Sequence, residues 1–142
     1  MSKFSKTISI CKVDSERRVV KGPVLRPEIR DRQGTIMSAD IIIDAAHDFV
    51  ARLADKQDPT QPGFMHTEFN RDLVIVESYV TERDEKYALS EEEKTLVPSG
   101  SWMMAIKVND DKIWEGVKSG TFKGFSIGGR ARLQYDEEGE EN

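Results

Sequence analysis

Ser101-Trp102-Met103-Met104-Ala105-Ile106-Lys107-Val108 reads as a β-strand that places Trp102, Met104 and Ile106 on one face, because successive strand side chains alternate. Asn109 or Asp110 then caps a helix of about two turns carrying Ile113, Trp114 and Val117, and Gly120 closes it as a C-terminal stop. Two short strands follow, around Gly124-Phe125-Ser126-Ile127 and over residues 130–135. Upstream, residues 7–13 and 18–25 are rich in Val and Ile and flank the polar turn Asp14-Ser15-Glu16-Arg17, which predicts an antiparallel pair. Pro23 and Pro27 are expected to confine the second of these strands to an edge or to an early exit.

Asp31-Arg32-Gln33-Gly34 is turn chemistry, and Ser38 is the expected N-cap of an amphipathic helix over 39–54, where Ile42, Ala45, Ala46, Phe49, Val50 and Leu53 recur at helical spacing. Asp58-Pro59-Thr60-Gln61-Pro62-Gly63 cannot continue that helix, since two prolines remove donors and fix φ. Residues 64–69 and 73–81 are strand-like and joined by Asn70-Arg71-Asp72, so a hairpin is expected. Residues 82–100 are the most charged and least periodic part, read as an exposed excursion. In it Ser90-Glu91-Glu92-Glu93 fits a capping box for one helical turn. Strands dominate, and the connections are mostly too short for βαβ crossovers. The expected fold is α+β and mainly β: a small, mostly antiparallel barrel or folded sheet flanked by one long and one short helix. One domain over 1–135 and an acidic tail over 136–142 account for the chain.

The chain has 142 residues, enough for one core. Its net charge of −5 comes from the tail, which carries five carboxylates and no base, and the rest balances at 21 against 21. A neutral body offers no basic footprint for a phosphate backbone, so nucleic acid is not an expected partner. The composition, 33% charged and 37% hydrophobic, is too polar for a membrane span. Cys11 is the only cysteine and excludes an intrachain disulfide; it reads as a small strand hydrophobe. The opening Met-Ser-Lys-Phe-Ser lacks a signal peptide's apolar run, which points to a reducing, cytoplasmic setting.

Two histidines exist. His47 lies on the long helix beside its apolar stripe; His66 lies on a strand that begins directly after a Pro-Gly loop. In Lys123-Gly124-Phe125-Ser126-Ile127-Gly128-Gly129, three glycines surround one serine. They allow φ > 0 and close backbone approach, as an exposed nucleophile with oxyanion-binding amides requires; a plain glycine-rich turn between strands fits the same residues. Gly124 to Gly128 also satisfies G-x-S-x-G, but the α/β-hydrolase elbow needs a following helix and a later histidine. Strand-like sequence follows instead, and no histidine comes after Ser126. There is no phosphate loop, and the carboxylate runs lack calcium-loop spacing. No metal or cofactor is expected.

Taken together, Asp31-Arg32-Gln33-Gly34-Thr35-Ile36-Met37-Ser38, Val76-Glu77-Ser78-Tyr79, Gly100-Ser101-Trp102-Met103-Met104 and Gly124-Phe125-Ser126-Ile127-Gly128-Gly129 resemble the small prohead (procapsid maturation) serine proteases of tailed phages and defective prophages. The likeness runs from about residue 18 to residue 133. It implies a fold related to the herpesvirus capsid-maturation proteases, a serine nucleophile at Ser126 and a histidine base at His66. It further implies scaffold and major capsid proteins as substrates inside the assembling procapsid in the host bacterial cytoplasm, with self-cleavage and self-association. For the third catalytic member, the expected hairpin sets His66 opposite Ile75 or Val76, with Glu77 a direct or diagonal neighbour able to accept from the imidazole Nδ1. Glu68, Asp136 and His47 are the other candidates. The expected oxyanion donors are the backbone amides of Gly128 and Gly129. The rival reading is a catalytically silent capsid-assembly or scaffold-binding module with the same fold.

Overall fold

The computed structural model describes residues 6–29, 36–53, 72–127 and 131–135. Its elements in chain order are β1 (Lys6–Ser9), β2 (Lys12–Asp14), β3 (Val19–Leu25), α1 (Ala39–Leu53), β4 (Leu73–Val80), β5 (Glu85–Ala88), β6 (Lys94–Val97), β7 (Trp102–Val108), α2 (Asp111–Ser119), β8 (Phe122–Ile127) and β9 (Ala131–Tyr135). The strands form three sheets, β1-β8-β9, β2-β3-β7-β4 and β5-β6, and each pairing is antiparallel. No closed barrel forms among the described residues, so the α+β, mainly β architecture is realised as folded sheets with two helices.

The strand β7 organises the core. Trp102, Met104 and Ile106 lie on one face, as the alternation requires, and join Ile8, Val20, Ile42, Ile113, Trp114 and Phe125 in one buried cluster. Helix α1 contributes Ile42 and Ala46 and sets the Phe49 ring 5.6 Å from that of Trp102. The buried indole N–H needs an acceptor and donates to Ser78 Oγ at 3.0 Å. Both helices start, and α2 stops, as their sequences direct. The Ile41 amide donates to Ser38 Oγ at 3.4 Å, the Ile113 amide donates to Asp110 Oδ1 at 2.9 Å, and Gly120 adopts φ 87°.

Met103 points the other way and is buried with Cys11 and Val97, flanked by Tyr79 and Tyr87. Its cover is the β5-β6 hairpin, built from the 82–100 stretch: most of its residues are exposed, but Val97 is fully buried. The helical turn expected at Ser90 does not form. Ser90 Oγ does accept from the Glu92 and Glu93 amides, at 3.2 and 3.1 Å, but Leu89 N donates to Glu93 O and the chain reverses into β6. A capping serine serves a hairpin turn as readily as a helix start, because both leave consecutive amides without ladder partners.

The run 7–13 is not one continuous strand, and this is what folds the sheets. Ile10 N donates to Lys123 O of β8 at 3.0 Å, while the next amide, Cys11 N, donates to Lys21 O of β3 at 2.8 Å. Residues 12–14 then pair with β3 through the expected turn, with the Arg17 amide donating to Asp14 Oδ1 at 3.1 Å and Arg18 at φ 55°. The edge position expected for residues 18–25 is corrected. Between Val19 and Lys21, β3 is an interior strand with β2 and β7 on its two sides. Its β2 partner ends at Lys21, so Pro23 falls where β7 is the ladder partner and the register shifts before Leu25.

Two glycines let the corner close. A Cβ on Gly22 would fall on the Ser9 carbonyl oxygen, and one on Gly124 on the Ile8 carbonyl oxygen. Both obstacles are backbone and cannot rotate aside. Gly22→Ala is therefore expected to lower unfolding free energy by about 1–3 kcal/mol through overpacking, read from the denaturant midpoint at unchanged m-value. A wild-type midpoint would show that the corner opens at no cost.

Candidate functional site

Ser126 sits within β8, the central strand of its sheet, opposite Thr7 of β1 and Arg132 of β9. Its neighbour Phe125 and the Phe125 partner Ile8 are both fully buried in the main core. Alternation turns Ser126 and Thr7 to the opposite face, where both are half-buried. The sheet thus carries the serine on its non-core side. A serine inside a strand also differs from the strand-to-helix elbow of α/β-hydrolases, in line with the sequence argument against that class.

Gly124 is explained by close approach rather than by φ. Among the described glycines only Gly100 and Gly120 have positive φ, whereas Gly124 lies against the Ile8 carbonyl. The first glycine of the motif therefore holds β8 against β1, a structural duty two residues from the serine. Ser101, which follows Gly100, has a structural role too. It is fully buried, its hydroxyl donates to Pro98 O at 2.7 Å, and its amide donates to Thr81 Oγ1 at 3.0 Å. With Gly100 at φ 89°, that network ties the base of the β5-β6 hairpin to β7.

Glu77 lies in a different sheet from Ser126. The β4 register shifts between Ile75 and Glu77, which puts Glu77 beside Ala105 on the same face as Tyr79 and Lys21. Lys21, Ala105 and Glu77 form one row across three strands, and the small central residue lets the outer two meet: Lys21 Nζ is 3.3 Å from Glu77 Oε1. The same ammonium lies 5.2 Å from the Tyr79 ring centroid. Burial alone would lower the Lys21 pKa, but hydrogen bonds to the Tyr79 phenol and the Glu77 carboxylate outweigh it and hold the pKa above its ordinary value. A lysine so held keeps its proton at neutral pH and is unsuited to act as a general base.

His66, Gly128, Gly129, Glu68 and Asp136, with the expected 64–69 strand, lie outside the described residues. His47 is exposed on α1, whose buried residues Ile42 and Ala46 face the main core. The sequence reading missed Thr7 as the cross-strand neighbour of Ser126 and Lys21 as the ion-pair partner of Glu77. No local pattern announces which distant strand will pair. Among the described residues, no group of three or more His, Cys, Asp or Glu is placed to hold a metal ion, and no helix is long and apolar enough to cross a membrane.

Cys11, beneath the hairpin, is buried, and desolvation pushes its thiol pKa from 9.0 up to about 11 against the opposing fields of Lys21, Arg26 and Lys12. The thiol is therefore an inert core group. Folding favours its protonated form, so this stabilisation is complete below pH 9 and is lost as pH rises through about 11. A two-unit difference corresponds to roughly 3 kcal/mol. Tyr87 and Lys21, whose pKa values are raised from 10.0 and 10.5, add to the fall mainly above pH 10, so Cys11 contributes most between pH 9 and 10. Cys11→Ala is expected to flatten the fall in stability between pH 9 and 10, measured by urea unfolding. An unchanged slope would place the alkaline sensitivity elsewhere.

The mainly β architecture, with Ser126 inside a central strand, differs from the strand-to-helix setting of the α/β-hydrolase serine. Residues 6–134 match the family described as "Putative phage serine protease XkdF", and the chain belongs to that family. It is 32% identical over 123 residues to "Phage-like element PBSX protein XkdF" of Bacillus subtilis (strain 168), covering 87% of this chain and 40% of that protein. It is 34% identical over 131 residues to "Uncharacterized protein YqbD" of the same strain, covering 90% of this chain and 36% of that protein. The chain thus spans about two fifths of the length of these curated relatives. No solved structure matches it.

Proposed function

We propose that this chain is a serine endopeptidase domain that matures phage proheads, cleaving scaffold and major capsid proteins, and itself, inside the assembling procapsid in the bacterial cytoplasm. The observation that carries the proteolytic reading is the placement of Ser126. It is a serine within the family-matched stretch, on the face of a central strand turned from the main core, held there by the buried Phe125–Ile8 pair and the glycine contact at Gly124.

In the proposed chemistry, Ser126 Oγ attacks the scissile carbonyl carbon while His66 takes the hydroxyl proton. The tetrahedral oxyanion is received by the Gly128 and Gly129 amides. Collapse breaks the C–N bond, the amine leaves with the proton returned from His66, and water releases the acyl group by the same steps in reverse order. Glu77 is the proposed orienting acid; its Oε1 is the oxygen engaged by Lys21. The prohead assignment rests on the motif resemblance together with the phage family. Its test is incubation of the purified chain with purified phage scaffold and major capsid proteins. New, defined fragments that are absent with Ser126→Ala support the assignment. Intact substrates bound tightly by the chain would favour the silent assembly module instead.

A further inference from the structure

The ladder between β1 and β8 fixes more than a neighbour for Ser126. Ile10 N donates to Lys123 O, which makes Ile10 and Lys123 a hydrogen-bonded pair in the register that continues through Ser9↔Gly124, Ile8↔Phe125 and Thr7↔Ser126. Antiparallel pairs alternate, so counting outward makes Ser9/Gly124 non-bonded, Ile8/Phe125 bonded and Thr7/Ser126 non-bonded. Non-bonded pairs bring their Cα atoms to about 4.5 Å, with the side chains at their closest. Thr7 and Ser126 share the outer face, and both are half-buried.

We propose that Thr7 is a positioning residue whose branched side chain walls off the β1 side of Ser126 and restricts the Ser126 hydroxyl to the rotamers that face away from β1. The proposal rests on the reading of Ser126 as the nucleophile. Serine has three staggered χ1 wells, whereas a β-branched threonine in a strand is stiff at χ1. A stiff neighbour at the shortest cross-strand separation occupies the space into which one serine rotamer would swing. The wall is a matter of shape, so valine should replace threonine and alanine should not.

The test is the kinetics of a fluorophosphonate reacting with the intact chain, resolved into a reversible binding constant and a first-order bonding rate, with the adduct located by peptide mass spectrometry. Thr7→Ala is expected to lower the first-order rate by about 1.5-fold with binding unchanged, because the hydroxyl gains a third, unproductive well beside the two left open in wild type. Thr7→Val is expected to keep the wild-type rate to within about a tenth, since it keeps the branch at Cβ. Thermal melts establish that each variant is folded. A wild-type rate for Thr7→Ala, an equal fall for Thr7→Val, or a loss confined to binding would overturn the proposal. If wild-type protein forms its adduct on Ser126 and Thr7→Ala reacts as fast, only the role of Thr7 fails. If wild-type protein forms no Ser126 adduct, the nucleophile reading fails first and takes this proposal with it.

Discussion

Ser126→Ala is expected to lose proteolysis by about 10⁶-fold, the scale seen when a serine nucleophile is removed and only binding and oxyanion contacts remain. The fold should hardly notice. Ser126 lies on the face opposite the main core, whereas its neighbours Phe125 and Ile8 supply the buried packing and Gly124 the backbone contact. Replacing one half-buried hydroxyl by hydrogen should therefore change unfolding free energy by about 1 kcal/mol or less. This separates Ser126 from Ser101. Ser101→Ala leaves the Pro98 carbonyl with one donor fewer in a buried network and should lower stability by about 1–3 kcal/mol with catalysis intact. Cleavage assays beside melting curves distinguish the two serines. Activity in the purified Ser126→Ala protein would end its candidacy.

The second large effect is a ranking. His66→Ala removes the proposed base and should cost about 10⁶ in rate, whereas Glu77→Gln removes only an orienting carboxylate and should cost about 10⁴. The Lys21 contact adds a control, because Glu77→Gln also weakens an ion pair whose acid side chain is 49% exposed. Solvent screening limits such a pair to about 1 kcal/mol or less. A 10⁴-fold loss therefore cannot come from the ion pair, and Lys21→Met should reproduce the stability change without the rate change. If Glu77→Gln runs at the wild-type rate with the same small melting shift as Lys21→Met, Glu77 belongs to the sheet-surface ion pair alone. Glu68→Gln and Asp136→Asn beside it would then show which carboxylate orients the histidine.

Local chemistry made much of this molecule legible. The Trp102, Met104 and Ile106 alternation, the Ser38 and Asp110 caps and the Gly120 stop each depend on residues within a few positions, and each appears as expected. The corner at Ile10–Cys11 was not legible, because nothing in Thr7-Ile8-Ser9-Ile10-Cys11-Lys12-Val13 distinguishes one long strand from two that serve different sheets. That choice is made by residues about a hundred positions away, where Gly124 lets β8 close on Ile8. The hairpin at 85–97 was obscured for a related reason. Its charges read as solvent, yet Val97 and Tyr87 find a cover role only because β7 presents Met103 on its second face. Ser126 is a candidate on its glycines and the family resemblance, and of those glycines Gly124 acts through packing rather than through an unusual φ.

The central claim is that Ser126 is a nucleophile activated by a histidine. It is tested most directly by treating the folded wild-type chain with a fluorophosphonate and mapping the adduct by peptide mass spectrometry. In that reaction Ser126 Oγ bonds to phosphorus, fluoride leaves and His66 takes the hydroxyl proton, so the account predicts one adduct, on Ser126, lost in Ser126→Ala and slowed by orders of magnitude in His66→Ala. An unmodified Ser126, or labelling as fast in His66→Ala as in wild type, would contradict it.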